Sequence, residues 1–236
     1  MLLPRRLYLL QILWGLAALG AAGCQGPSSV AKPKESRAPT IIKQPAHVAT
    51  RTFDPANPPA DMPPLASSGE IAQCESDFTA SANVGGQAQR NDSTHAVITV
   101  TQISMMLQLN VTIWVPAGAS ERVIEHEQGH RQISEYYYRT ADRLAAQIAA
   151  NYMGRQVPIT SADLDAEFHK ALQDIGGEIT EEYDKQLNPN PTQLLYDSIT
   201  DHSRNDVAVQ EAVDHAVKNV AVESADPAIE RAVDDK

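Results

Sequence analysis

A strand pattern followed directly by a long helical pattern constrains the fold of this chain more than any other feature. In residues 107–115 every second side chain is apolar, and the side chains between them are mainly polar. This period of two indicates a strand with one buried face. Pro116 and Gly118 then end the strand. Ser120 is a good N-cap for a helix that we expect to extend to Met153.

Further elements on both sides of this unit predict an α+β domain. Residues 95–103 have the composition of another strand, and residues 77–84 that of a weaker one. Helical patterns resume at Ser161, with an interruption expected at the glycine pair 176–177, and again after the turn at residues 188–191. We therefore expect a small antiparallel sheet followed by a long helix and further helices.

The N-terminal part of the chain is expected to lie outside that domain. Two arginines precede an apolar run that ends in small residues before Cys24, which is typical of a secretory signal peptide over residues 1–23. The position of Cys24 resembles a bacterial lipobox, which implies a lipid anchor on this cysteine; ordinary cleavage and free secretion is the alternative. Nine of the chain's fifteen prolines lie in residues 24–68, and few large apolar residues accompany them. We therefore expect this segment to be a semi-extended tether.

The sequence also indicates where the folded domain ends and which partners its charge disfavours. We place the folded domain at residues 69–215 and a polar, helical or frayed tail at residues 216–236. The formal net charge of −11 argues against nucleic acid as a partner. Cys74 is the only other cysteine, so a lipidated Cys24 would leave it without a disulfide partner. We interpret Cys74 as a small buried residue.

A histidine–glutamate motif in the long helix carries the chemical prediction. His126, Glu127 and His130 form the pattern H-E-x-x-H, and both histidines share a helix face with Ile133. Imidazoles at this spacing can bind one Zn²⁺, while Glu127 acts as a general base on a bound water. Gly129 weakens the helix and so indicates close approach of another segment. The alternative is a pair of core histidines beside a solvated glutamate.

Spacing alone leaves the third protein ligand open. Ile133 and Tyr136 occupy the positions of the metzincin extension, and a gluzincin glutamate two turns downstream is missing. A purely structural zinc site is disfavoured because such sites usually recruit several cysteines. The remaining candidates are His169, Glu178, Glu181, Glu182, His202 and His215.

Two separated motifs resemble the bacterial "domain of unknown function 922" family of predicted secreted zinc-dependent proteases. The first is H-E-Q-G-H at residues 126–130, and the second is YDSITDHS at residues 196–203, similar to the form Y-D-x-x-T-x-H-G. The sequence departs from the family at Ser203, where glycine is usual, and at residues 131–132, where an aromatic and an acidic residue are frequent. The resemblance covers roughly residues 70–215 and implies a zincin-like fold that hydrolyses peptide bonds.

The resemblance also implies roles for individual residues. The two motif histidines and His202 would be the Zn²⁺ ligands, Glu127 would be the base, and His169 is a reserve ligand. Asp197 could accept a hydrogen bond from a ligand imidazole. Tyr196 could donate to a developing oxyanion. Packing of the turn is the alternative for both of these last residues.

Zincin-like folds further imply that the strand before the motif helix, residues 107–115, binds a protein or peptide substrate as an added strand. The expected protein is an exported metalloprotease held by lipid in the bacterial cell envelope, at the outer membrane and facing the periplasm if two membranes are present. The alternative is a binding or scaffolding lipoprotein that keeps the fold and the metal without hydrolysis. An intact Glu127 favours the enzyme.

Overall fold

Five strands and five helices are formed by residues 38–65 and 70–225, the ranges that the computed structural model describes. This mixture agrees with the α+β class expected from the sequence. The strands are β1 (Thr40–Lys43), β2 (His47–Phe53), β3 (Gln73–Arg90), β4 (His95–Pro116) and β5 (Gln156–Thr160). The helices are α1 (Glu121–Arg139), α2 (Ala141–Tyr152), α3 (Leu164–Gln186), α4 (Asn190–Thr200) and α5 (Val209–Ala225).

Strand β4 is the centre of the sheet because both of its edges are paired. Strand β3 runs antiparallel along almost the whole of one edge. Along the other edge, β5 pairs antiparallel with the beginning of β4. Strands β1 and then β2 pair parallel with the rest of it. The sheet is therefore mixed, and the prediction of an antiparallel sheet was wrong. The prediction that residues 107–115 form a docking edge was also wrong, because neither edge of β4 is open there.

A β-bulge explains why β4 looks like two strands in the sequence. The β4 residues in the main apolar core are even-numbered in residues 96–100 but odd-numbered in residues 103–115. The pairing register with β3 shifts between Gly85 and Gly86, which leaves Thr101 of β4 as the extra residue. One extra residue reverses the alternation, so both halves of the long strand bury the same face.

The segment predicted as a tether contributes two strands, so that prediction was wrong for residues 40–53. These strands bury few side chains; backbone pairing with β4 holds them in the sheet. The domain thus includes residues 40–53, well before its predicted start at residue 69. The predicted signal peptide, Cys24 and the end of the predicted tail lie outside the described residues. Within those residues, no helix has the length and apolar character needed to span a membrane.

The helix predicted as one element after Ser120 is two helices that meet at Thr140. Ser120 caps α1 as expected, because its hydroxyl accepts a backbone hydrogen bond from the first turn. At the other end, the Lys43 ammonium donates hydrogen bonds to the carbonyl oxygens of Tyr138 and Arg139. A cation at a helix C-terminus interacts favourably with the dipole and the free carbonyls. A contact with distant β1 therefore favours the end of α1.

Helices α2 and α3, with the C-terminal part of α1, pack on one face of the sheet and form the main apolar core. Helix α3 passes through the glycine pair 176–177 without interruption, contrary to the expectation. A Cβ on Gly176 would lie 2.9 Å from the carbonyl oxygen of Ala82, so this glycine serves close packing of α3 on β3. A second, smaller core joins α4 and α5 to α1. This second core brings α4 against the motif helix.

Candidate metal centre

A narrow cavity of about 230 Å³ separates helices α1 and α4 beside the first residues of β3. His126, Glu127 and His130 reach it from α1, because the two histidines lie one helix turn apart. Asp197 and Gln193 reach it from α4. The rest of the wall is formed by Glu70, Ala72, Gln73, Cys74, Ser76, Pro189 and Asn190.

Three ligand-type side chains converge at the centre of this cavity. The Nε2 atoms of His126 and His130 are 3.2 Å apart. Oδ1 of Asp197 lies 2.9 Å from Nε2 of His130 and 3.3 Å from Nε2 of His126. Ligands that bind one Zn²⁺ tetrahedrally at about 2.0–2.1 Å are roughly 3.3 Å from each other. The three side chains therefore form a group that could hold a metal ion.

Some of the polar atoms at this point lack ordinary partners. Among the described residues, Oδ1 of Asp197 and Nδ1 of His202 are buried and make no hydrogen bond of normal geometry. A buried polar group left unpaired costs about 1–3 kcal/mol, and a cation bound to the Asp197 carboxylate would compensate that cost for its Oδ1. Two imidazoles and one carboxylate are ligands that divalent transition metals accept. The residues present therefore fit a metal ion.

Gln193 orients the ring of His130, and sequence analysis missed it. Oε1 of Gln193 accepts a hydrogen bond from Nδ1 of His130 at 2.6 Å, while its amide nitrogen donates to Oγ of Ser134 and to the carbonyl oxygen of His130. These two donations fix the orientation of the amide, so Nδ1 of His130 faces Gln193 and Nε2 faces the cavity, where it can bind a metal ion once it is deprotonated. The available signal was that Gln193 lies four residues before Asp197, on the same face of α4.

Tyr196 packs behind the two histidines. Its ring stacks on His126 with a centroid distance of 5.0 Å and meets His130 edge-on at 4.9 Å. Its hydroxyl donates to the carbonyl oxygen of His126 at 3.1 Å, and the side chain is fully buried. This hydroxyl is already bonded away from the cavity, so the geometry favours packing over the oxyanion role. A Cβ on Gly129 would overlap the hydroxyl, which is the close approach that this glycine indicated.

His202 lies beside the three converging side chains but is not one of them. Its Nδ1 is 3.8 Å from Oδ1 of Asp197 and 3.2 Å from Oε1 of Glu70. The backbone sets this position, because residues 201–203 all have positive φ angles, of 47°, 50° and 70°. Such a left-handed turn is unfavourable for residues that carry a side chain, as all three of these do.

Glu127 lies at the side of the group with a buried carboxylate. Burial raises the pKa of Glu127 to about 7, and the neighbouring His130 partly opposes that shift. The backbone N–H of Cys74 in β3 donates a hydrogen bond to this carboxylate. A carboxyl group that titrates near neutral pH can both accept and return a proton under physiological conditions.

His130 and Asp197 change each other's titration. Burial disfavours a charged imidazole, but the adjacent Asp197 carboxylate raises the pKa of His130 above its ordinary value. Burial alone would raise the pKa of Asp197, but the two imidazoles hold it well below its usual range. Without a metal, the site therefore favours a carboxylate beside a protonated imidazole, and a cation would replace that proton.

The thiol of Cys74 is not suited to metal binding. Cys74 is a free, half-buried cysteine on the cavity wall that also packs against the main core. Burial first, and then the charge of Glu127, raise the pKa of the Cys74 thiol to about 12. The converging ligand atoms do not include this thiol. Cys74 is a packing residue, as the sequence indicated, but it is half-buried rather than fully buried.

The other candidate third ligands lie elsewhere. His169 lines a different cavity, between α3 and β3. The remaining candidates make contacts outside the metal group: Glu178 with Arg155, Glu181 with Lys185, Glu182 with Tyr152, and His215 with Asn219.

Comparison of the chain with protein-family models, with curated proteins and with solved structures gave no match. The resemblance seen in the two motifs therefore stays a prediction. What defines the site is its own geometry, in which His126, His130 and Asp197 converge beside Glu127.

Proposed function

We propose that this protein is a zinc-dependent hydrolase of peptide bonds. His126, His130 and Asp197 would hold the Zn²⁺, and Glu127 would transfer the proton. The observation that carries this proposal is the convergence of the three ligand atoms beside a buried carboxyl group. The zincin-like fold implied by the motifs belongs to the same proposal.

The chain's own residues divide the chemistry between them. When bound, Zn²⁺ supplies Lewis-acid polarisation of a carbonyl oxygen and a lower pKa for a water molecule. With three protein ligands, one position on the ion would remain for water or substrate. The Glu127 carboxylate takes a proton from the attacking water and later gives a proton to the leaving amine nitrogen. The Cys74 N–H keeps this carboxylate in place during both transfers.

The free edge of β3 supplies the backbone contacts for a substrate. Among the described strands, β3 pairs with β4 alone. The N–H of Cys74 is directed to Glu127, away from β4. Backbone groups of an antiparallel strand alternate between its edges, so those of Ser76 point the same way as those of Cys74. An extended polypeptide paired with the first residues of β3, Gln73 to Ser76, would therefore lie across Glu127.

Export and lipidation at Cys24 would place this enzyme in the cell envelope. A metal-binding lipoprotein without hydrolytic activity is the second candidate. The hydrogen bond from Cys74 to a buried Glu127 favours the enzyme, because metal binding alone does not need a second carboxyl group held beside the ligands.

The test measures zinc content and digestion of an unfolded protein such as casein by the mature chain. We expect about one zinc per chain, activity lost with a chelator and restored by zinc, and a loss of about 10²–10⁴-fold in Glu127→Gln with zinc retained. Glu125→Gln, an exposed change on the same helix, is the matched control. Zinc binding without digestion would favour the second candidate, and a chain that binds no zinc would contradict both.

A further inference from the structure

A second cavity, which is apolar, adjoins the metal cavity and shares Glu70 as part of its wall. It has a volume of about 660 Å³ and lies between the loop that follows β2 and the turn that precedes α1. Six prolines line it, together with Phe53, Met62, Leu65 and Ile71. A volume of about 300–1,000 Å³ with mainly apolar walls is typical of ligand sites.

The walls of this cavity are formed before any ligand arrives. Proline fixes its own φ angle and has almost no side-chain freedom to lose, so a proline-lined wall is rigid. The loop is also held by Arg51, which forms an ion pair with Asp61 at 2.6 Å and lies over the ring of buried Trp114. Large apolar side chains remain exposed at the cavity, since Ile71 is 54% exposed and Leu65 36%. Exposed apolar groups beside a preformed cavity mark a binding surface.

We propose that this apolar cavity receives a large aliphatic or aromatic side chain of the polypeptide that occupies the metal cavity. This inference rests on the proposed function. Glu70 and Ile71 line the apolar cavity, and the same run of chain continues through residues 72–76 along the metal cavity. One extended substrate lying beside residues 70–76 therefore contacts both cavities.

The spacing along this run sets the position of the recognised side chain. Ile71 lies three residues before Cys74, the residue that contacts Glu127, and three residues of chain span at most about 10 Å. A substrate strand covers that distance in about three residues. The recognised side chain lies two to four residues from the bond that is cut. The substrate class is therefore an extended or unfolded polypeptide with an apolar residue near the cleavage site, because dipeptides are too short to reach both cavities.

The first test compares, with the zinc-loaded mature chain, two peptides that differ only in having leucine or alanine at a position two to four residues from the bond that is cut. One methyl-rich side chain in an apolar cavity changes kcat/KM by about 10–200-fold. Ala117 is exposed at the cavity, so Ala117→Trp should fill it and bring the leucine-to-alanine ratio of kcat/KM close to one. Ala150→Trp, at an exposed position on α2, is the matched control and should keep the native ratio. A native ratio near one, or a ratio that Ala117→Trp leaves unchanged, would overturn the inference.

A second measurement separates this inference from the proposed function. In zinc-loaded Glu127→Gln, which should bind peptide without cutting it, the methyl NMR signal of Met62 reports directly on the apolar cavity. The leucine peptide should shift this signal, and the alanine peptide should shift it much less. Shifts without hydrolysis by the native chain would support the cavity and contradict the hydrolase. Hydrolysis with an unmoved Met62 signal would support the hydrolase and contradict the cavity.

Discussion

At the scale of single residues, the packing behind the metal-binding histidines depends on the lack of a side chain at Gly129. Tyr196 fits against α1 only because residue 129 has no Cβ. We expect Gly129→Ala to lower the free energy of unfolding by about 1–3 kcal/mol through overpacking, although alanine is the better helix former. Gly177→Ala on α3 is the matched control, since its Cβ would meet open space, and it should add up to about 1 kcal/mol. Urea unfolding measures both, and a stabilised Gly129→Ala would contradict the packing described.

The identity of the third ligand is also decided by single residues. The geometry favours Asp197, whereas the resemblance implies His202. We expect Asp197→Asn to weaken zinc binding by more than about 100-fold, because a direct ligand is lost, and His202→Asn to weaken it by at most about 10–100-fold, as a neighbouring residue does. Competition with a chromophoric chelator measures both affinities. The reverse order would restore His202 as the ligand.

The residues of the centre differ in how far the sequence could predict them. His126, Glu127 and His130 could be recognised because the helical repeat alone brings them together. Asp197 was singled out only as an indirect partner, and Gln193 was missed. The packing of α4 on α1 brings Gln193 to His130 across 63 positions of sequence, and no local pattern encodes such a distance.

At the scale of elements, the alternation of apolar and polar residues predicted which face of β4 is buried, but not which strands pair with β4. The buried positions of residues 107–115 follow the expected period of two. Strands β1 and β2 are held by backbone hydrogen bonds to β4, so their side chains carry no comparable pattern, and a proline-rich composition suggested a tether instead. Their contribution to the fold can be tested by truncation.

We expect a chain that begins at residue 38 to unfold cooperatively and one that begins at residue 69 to aggregate. The shorter chain loses both parallel strands, which exposes one edge of β4 to other molecules. It also loses Lys43, whose ammonium binds the last carbonyl oxygens of α1 and pairs with Asp142 at 2.7 Å. Size-exclusion chromatography and urea unfolding followed by circular dichroism measure the difference. Equal stability of the two chains would contradict the pairing of β1 and β2 with β4.

At the scale of the whole molecule, folding buries two carboxyl groups and an imidazole in one cavity and shifts their pKa values in different directions. The raised pKa values of Glu127 and His130 mean that both stabilise the fold at low pH. Their contribution to the free energy of unfolding is complete when the pH is below their pKa values in the unfolded chain. It is lost as the pH rises through their higher pKa values in the folded chain. The lowered pKa of Asp197 has the opposite sign, and its contribution is lost only as the solution becomes strongly acidic. The metal-free chain should therefore lose stability between about pH 5 and pH 8.

Zinc should reverse this dependence, because metal binding requires the ligands to be deprotonated and so becomes stronger as pH rises. We expect the difference in Tm between the zinc-loaded and metal-free chains to grow from about pH 5.5 to about pH 8. The shift of Glu127 from 4.5 to about 7 corresponds to about 3 kcal/mol, so Glu127→Gln should flatten the metal-free profile while the zinc-induced rise in Tm persists. Asp197→Asn should remove most of the zinc-induced rise. Thermal unfolding of the native chain and the two variants, each with and without a chelator, measures all six profiles, and a zinc effect that does not change with pH would contradict a site built from histidines.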